Sequence, residues 1–221
     1  MKKAILFDLD GTLLNTLDDL ADSANHVLEN HGWPTHERDA YKLFVGSGAT
    51  NLIKRIIPEN EVKDDEIEEL AQEFIARYNN AHILDKTRPY DGIIDMIELL
   101  KNRGVNLAVT SNKPDAQTRY LITEIFGEGT FSHVAGSTKG LPVKPDPTIA
   151  ITAMQALSAT PDECAFCGDS GVDMQTAKNA RCCAIGVTWG FRSREELVAN
   201  GADVIIDSPD ELIGIIKQHD C

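Results

Sequence analysis

The segment Ala4-Ile5-Leu6-Phe7-Asp8-Leu9-Asp10-Gly11-Thr12-Leu13-Leu14 opens with four apolar residues and then carries two aspartates two positions apart. The run Ala4 to Phe7 suits a strand buried on both faces. If the extended geometry continues past Phe7, Asp8 and Asp10 point to the same side. Gly11 then allows a sharp turn. Two like charges at the end of a buried strand raise each other's pKa and need compensation. A divalent cation supplies it, because hard cations take carboxylate and carbonyl oxygens. An exposed turn would also account for Asp and Gly here, so the choice depends on segments further along.

Of the 221 residues, 42% are hydrophobic and 25% charged, the composition of an ordinary globular chain, and the formal net charge is −14. That charge argues against nucleic acid or an anionic membrane as partner. An anionic substrate would need local lysines or backbone N–H groups. No apolar run approaches the roughly 18 residues that span a bilayer. Asp8 and Asp10 interrupt the apolar region after Met1-Lys2-Lys3 too early for a signal peptide, so a cytoplasmic location is expected. Cys164-x-x-Cys167 and Cys182-Cys183 lie in strand-like apolar runs, and Cys221 makes the count odd. Neighbours on a strand face opposite ways, so these cysteines are expected to be small buried hydrophobes rather than a metal or disulfide set. The six histidines show no ligand spacing.

Helical spacing runs from Thr16 to about Asn30, and further helices are expected near 37–45, 49–56 and 64–82. No strand-like alternation interrupts this stretch, so residues 15–85 read as an all-helical module within a core of 1–14 and 86–221. Beyond Gly92 strands and helices alternate. Strands are expected at 105–110, 131–135, 164–167, 183–187 and 203–206, with helices from 93, at 114–126, 146–157, 172–179, 193–200 and 209–217. Ser193-x-x-Glu196 and Ser208-Pro209-Asp210-Glu211 have capping-box form. The pattern predicts an α/β fold: a doubly wound, mostly parallel, Rossmann-like sheet with a small helical insertion after its first strand. Sites in such sheets lie beyond the carboxyl ends of the strands.

Four of those ends carry chemistry. Asp8 and Asp10 follow the first strand; Ser111-Asn112-Lys113-Pro114 follow the second and offer donors that suit a phosphate. Lys144, before Pro145, is held extended and can act as a point charge on phosphate; it is preferred to Lys139 because its flanking prolines fix the backbone. Gly168-Asp169-Ser170-Gly171-Val172-Asp173 adds a second acidic pair. A helix-capping aspartate explains only one of the two. Metal-assisted phosphoryl transfer fits this set, with carboxylates holding a cation, lysine neutralising phosphate and an aspartate attacking phosphorus.

These motifs resemble the haloacid dehalogenase superfamily of phosphatases: Asp8-Leu9-Asp10-Gly11-Thr12, then Ser111, then Lys144-Pro145, then Gly168-Asp169-Ser170-x-x-Asp173. The resemblance implies Asp8 as nucleophile and Asp10 as general acid/base. It implies that Ser111 and Lys144 hold the phosphoryl group, with Asn112 and Thr12 nearby. Mg2+ would be held by Asp8, the Asp10 carbonyl and Asp169, with Asp173 supporting the metal shell or Lys144. The helical insertion is similar to the family's cap, and the chain is most similar to the phosphoglycolate phosphatase group in Val45-Gly46-Ser47-Gly48-Ala49, Val109 to Pro114, and Gly186 to Arg192. Gly46 and Ser47 are then expected to meet substrate. Two positions depart from the pattern. Arg181 stands where the family has glycine, so the turn there is expected to differ, and Asp91 stands where proline is common.

The implied function is an Mg-dependent phosphomonoester hydrolase acting on a small anionic ester such as 2-phosphoglycolate, as monomer or homodimer. A sugar phosphomutase or inorganic pyrophosphatase would use the same scaffold. A phospho-accepting signalling domain would use similar strand ends but leave the helical insertion idle. A dehalogenase would have no need of Asp10 as an acid.

Overall fold

The computed structural model describes residues 2–58, 62–79 and 82–216. By its internal contacts the chain divides into two compact units, Met1–Asn15 with Pro89–Cys221, and Thr16–Arg88.

The helical unit contains α1 (Leu17–Asn30), α2 (Tyr41–Phe44), α3 (Ala49–Ile56) and α4 (Asp64–Asn79). Its core is mostly aliphatic and includes three aromatic residues: Tyr41 and Tyr78 are fully buried, and Phe74 stacks on Tyr78. The Tyr41 hydroxyl donates to Asn25 Oδ1 at 2.6 Å. Where one helix is expected over 37–45, a 3₁₀ turn at Arg38–Ala40 precedes the single turn of α2. Helix α4 is described as far as Asn79; residues 80–81 of the expected span lie outside the described ones, and His82 is not helical. Asp19 closes the unit on itself, its carboxylate accepting from the Lys86 and Thr87 amides and the Thr87 hydroxyl.

The other unit is built on six parallel strands, β1 (Ala4–Phe7), β2 (Asn106–Pro114), β3 (His133–Ser137), β4 (Cys164–Gly168), β5 (Cys183–Val187) and β6 (Val204–Ile206). They lie in the order β3-β2-β1-β4-β5-β6. The sheet therefore grows outward from β1 in both directions, as a doubly wound Rossmann-like sheet does, and the carboxyl ends of β1 and β4 flank its switch point. Strands β1, β4 and β5 are buried throughout, which explains their continuous apolar runs. Five helices connect the strands, α5 (Ile93–Asn102), α6 (Asp115–Phe126), α7 (Thr148–Ala156), α8 (Gly171–Asn179) and α9 (Arg194–Ala199), and α10 (Leu212–Ile215) follows β6. Alanines 150, 153 and 177 lie in one core cluster with Leu6, Phe166 and Met174, where small side chains let helices approach the sheet closely.

Several boundaries move from their expected places. Strand β2 runs four residues past Thr110, with a register irregularity between Thr110 and Pro114. The last helix is split into a 3₁₀ turn at Pro209–Glu211 and α10, and Lys217 lies outside the described residues. Both sequence-predicted caps form: Ser193 accepts from the Glu196 amide, and Ser208 with Glu211 makes a full capping box.

The turn after α8 keeps the shape that glycine usually provides. Arg181 has φ +59°, the Arg181 amide donates to the Lys178 carbonyl and the Cys182 amide to that of Ala177. This is a Schellman cap with arginine in the left-handed position, so the expectation of a differently built turn is corrected: the two hydrogen bonds impose the conformation on a residue with a Cβ. A non-glycine there costs about 1–2 kcal/mol, partly offset by glycine's greater freedom when unfolded. Arg181→Gly should therefore raise Tm by roughly 2–4 °C and leave activity unchanged; an unchanged or lower Tm in a thermal melt would refute it.

Cys164, Cys167 and Cys182 are free and buried, as small apolar side chains would be. Burial pushes the Cys164 thiol up to about 11 and that of Cys182 to about 12, so both stay protonated. Cys183 departs from the expectation, being disulfide-bonded. It opens β5 and borders a surface pocket. Among the described residues, no helix is long and apolar enough to cross a membrane.

Candidate active site

The site forms at the carboxyl ends of β1, β2 and β4. The Asp8 amide donates to the Cys167 carbonyl at 2.9 Å, extending the β1–β4 ladder one step beyond the strand and fixing where the Asp8 side chain starts. The chain then coils tightly. The amides of Thr12, Leu13 and Leu14 all return to the Leu9 carbonyl, and Gly11 sits at φ +86°. A Cβ on Gly11 would lie 2.3 Å from Asp169 Oδ2, so glycine is needed there for space as well as for conformation.

Lys144 is the centre of the charge arrangement. Its side chain is 2% exposed, and Nζ lies 2.7 Å from Asp8 Oδ1 and 2.7 Å from Asp173 Oδ1. The ammonium also stands over the Phe166 ring, 5.4 Å from its centroid. The backbone of Lys144 is clamped as well: its amide donates to Asn112 Oδ1 at 2.8 Å, and Asn112 Nδ2 donates to its carbonyl at 3.1 Å. The peptide bond from Lys144 to Pro145 is cis. Burial opposes the charge on Lys144, but Asp173 and Asp8 outweigh it and push its pKa up.

Asp173 is the N3 residue of a capping box at the start of α8. Its Oδ2 accepts from the Ser170 amide and hydroxyl, leaving Oδ1 for Lys144. Asp169 is held otherwise. Its Oδ2 accepts from the Phe191 amide at 2.7 Å, while the Thr12 hydroxyl donates to Oδ1 at 3.4 Å. Trp189 Nε1 donates to the Thr12 carbonyl, tying the 189–191 segment to the first loop.

Asp8, Asp169 and Asp173 present ligand oxygens within 4.8 Å of one another, the one such group among the described residues. Burial, then the charge of Asp173, raises the Asp8 pKa to about 7 against the pull of Lys144. Burial, Asp173 and Asp8 push Asp169 well above the ordinary carboxylate range. Lys144 pairs with Asp8 and Asp173, Asp169 lies close to both, and hard oxygen donors crowded in this way fit a divalent cation. Asp8 and Asp169 can hold it. Asp173 has both oxygens committed to Lys144 and the helix start, so its arrangement suits holding the lysine.

Ser111, Asn112 and Lys113 lie on the extension of β2. The Ser111 hydroxyl accepts from the Lys113 amide at 3.2 Å. The Asn112 amide donates to the Lys144 carbonyl, and the Thr12 hydroxyl to Asp169. Asp10 stands apart from the acidic group, its carboxylate 3.0 and 3.1 Å from Lys113 Nζ. Gly46 and Ser47 belong to the helical unit, where Arg55 donates to the Phe44 carbonyl and Ser47 hydroxyl, and Asn51 to the Ser47 carbonyl.

Lys113, Ser170 and Gly190 also serve the site, through contacts that the sequence does not mark. A Cβ on Gly190 would lie 2.3 Å from Asp169 Cβ and 2.4 Å from the Gly11 carbonyl oxygen. Asp169 is thus pinched between two glycines on separate loops. Gly190→Ala should displace it and lower kcat/KM by about 100-fold, since roughly 1 Å of misplacement costs that much. Steady-state phosphate release checks this; a variant within threefold of wild type would show that the loop yields instead.

Residues 5–187 match the family described as haloacid dehalogenase-like hydrolase. The chain belongs to that family. It is a phosphatase of the phosphoglycolate phosphatase-like group. A phosphoglycolate phosphatase from Pseudomonas putida is 31% identical over 94% of this chain and 77% of its own length. An N-acetylmuramic acid 6-phosphate phosphatase from Pseudomonas aeruginosa is also 31% identical, over 99% and 96%. Among solved structures, a protein from Lactobacillus delbrueckii subsp. bulgaricus assigned as a phosphoglycolate phosphatase is 34% identical. It superposes with a TM-score of 0.91 over 98% of this chain and 99% of that one.

Proposed function

We propose that this phosphatase hydrolyses a small anionic phosphomonoester such as 2-phosphoglycolate through an aspartyl-phosphate on Asp8, with Mg2+ as cofactor. The observation that carries the reading is Asp8 itself: a buried carboxylate at a strand end, one oxygen on a buried lysine, within 4.8 Å of the ligand oxygens of Asp169 and Asp173. In the first step an Asp8 oxygen bonds to phosphorus as the bond to the ester oxygen breaks. Asp10 gives that oxygen a proton. In the second step Asp10 takes a proton from water as the water oxygen attacks phosphorus, and Asp8 is released with free phosphate. Lys144, braced by Asp173 and Asn112, and Ser111 hold the phosphoryl oxygens. A divalent cation held by Asp8, the Asp10 carbonyl and Asp169 would supply the positive charge that offsets the phosphate. In this reading the helical unit serves as the family's cap.

Phosphate release from 2-phosphoglycolate, N-acetylmuramic acid 6-phosphate, hexose phosphates and pyrophosphate, each with and without EDTA, tests the proposal. Release from phosphoglycolate should exceed the others by about tenfold, a difference of roughly 1.4 kcal/mol, and stop on chelation. Pyrophosphate as best substrate, or turnover indifferent to EDTA, would refute it. A melting curve tests the metal alone. Mg2+ at about 100 times its Kd stabilises the fold by about 2.7 kcal/mol, or roughly 5–10 °C for a chain of this length. Asp169→Asn should remove that shift; an equal shift in the variant would place the cation elsewhere.

A further inference from the structure

Lys113 has no task in the mechanism above, yet its side chain is 3% exposed and its ammonium contacts both oxygens of Asp10. Desolvating an ammonium is costly unless it is well paired, and the surrounding backbone is built to keep it in place. The Lys113 amide donates to Ser111 Oγ at 3.2 Å, and its carbonyl accepts from Thr118 Oγ1 at 3.3 Å. Gly136 packs so closely that a Cβ there would lie 2.5 Å from the Lys113 carbonyl oxygen and 2.6 Å from Asp115 Cα. Asp10 itself stands on a turn, its side chain 16% exposed. Contact with both oxygens fixes the plane of that carboxyl group as well as its position.

We propose that Lys113 is a positioning residue that aims the carboxyl group of Asp10 at the ester oxygen, and so governs turnover of esters whose leaving group must be protonated. This rests on the assignment of Asp10 as general acid/base. An alkoxide leaving group needs the proton that Asp10 delivers as its bond to phosphorus breaks. The aryl oxide of p-nitrophenyl phosphate and the carboxylate of acetyl phosphate depart without it. Misaiming Asp10 therefore harms the first kind of substrate and spares the second, whereas general damage to the fold lowers both alike.

The test compares kcat/KM, which reports the steps through departure of the leaving group, for 2-phosphoglycolate, p-nitrophenyl phosphate and acetyl phosphate. Lys113→Met should lose about 30-fold or more on phosphoglycolate and less than about threefold on the activated substrates. Lys113→Arg should recover much of that selectivity, because guanidinium also pairs with both carboxylate oxygens. Gly136→Ala, which moves the Lys113 backbone without changing any charge, should show the same pattern more weakly and decides the matter if Lys113→Met melts below assay temperature. Equal losses on all substrates, or none, would overturn the proposal. Asp10→Asn runs in parallel: if it too shows no selective loss, the acid/base assignment has failed rather than the role of Lys113.

Discussion

Asp8→Asn should abolish turnover, with kcat falling by at least about 10⁴-fold, the scale seen when a nucleophile that acts in concert with its neighbours is removed. The amide cannot attack phosphorus, and it is a poorer ligand for a cation. The fold should survive, because the amide oxygen can still accept from Lys144 Nζ, which lies 2.7 Å from Asp8 Oδ1. Stability should even rise slightly in metal-free buffer, since burial and Asp173 work against the charge that the substitution removes. Intact mass after rapid mixing with substrate and acid quench gives the second readout. Wild type should carry one phosphoryl group and the variant none. Turnover near the wild-type rate would end the nucleophile assignment.

Lys144→Met should harm both catalysis and stability. The ammonium is the shared partner of Asp8 and Asp173, so its loss strands two buried carboxylates. Breaking such an arrangement costs about 3–5 kcal/mol, or roughly 6–20 °C in Tm at this chain length. Activity should fall about 10³-fold or more, since the phosphoryl oxygens lose their fixed cation. The double variant Lys144→Met/Asp173→Asn separates the two effects. It should regain part of the lost stability in a thermal melt while activity stays down. Recovery of activity along with Tm would mean that the lysine only balances charge.

The strand ends that carry Asp8, Asp169 and Lys144 were legible because local rules mark them. A buried strand reads as an apolar run, and charge at its end is conspicuous. The prolines around Lys144 separated it from Lys139, which is exposed in the structure. What stayed hidden was set by contacts between distant parts of the chain. Lys113 reads as a residue at a helix start, and nothing local announces that β2 runs on through it with an irregular register. Nor does anything local announce that Asn112 clamps a backbone 32 residues away. The need for glycine at 190 comes from Asp169, on another loop. Arg181 shows the converse: residue type suggested a change of turn, and the hydrogen bonds of α8 kept the old one.

The strand order has a consequence for how the enzyme comes into being. Asp8, Asp10 and Lys113 belong to the half of the sheet formed by β1, β2 and β3, while Asp169 and Asp173 follow β4 in the other half, more than 150 positions along the chain. The pairing of β1 with β4 brings the two sets together, so activity regained on refolding reports closure of that seam as well as recovery of helices and strands.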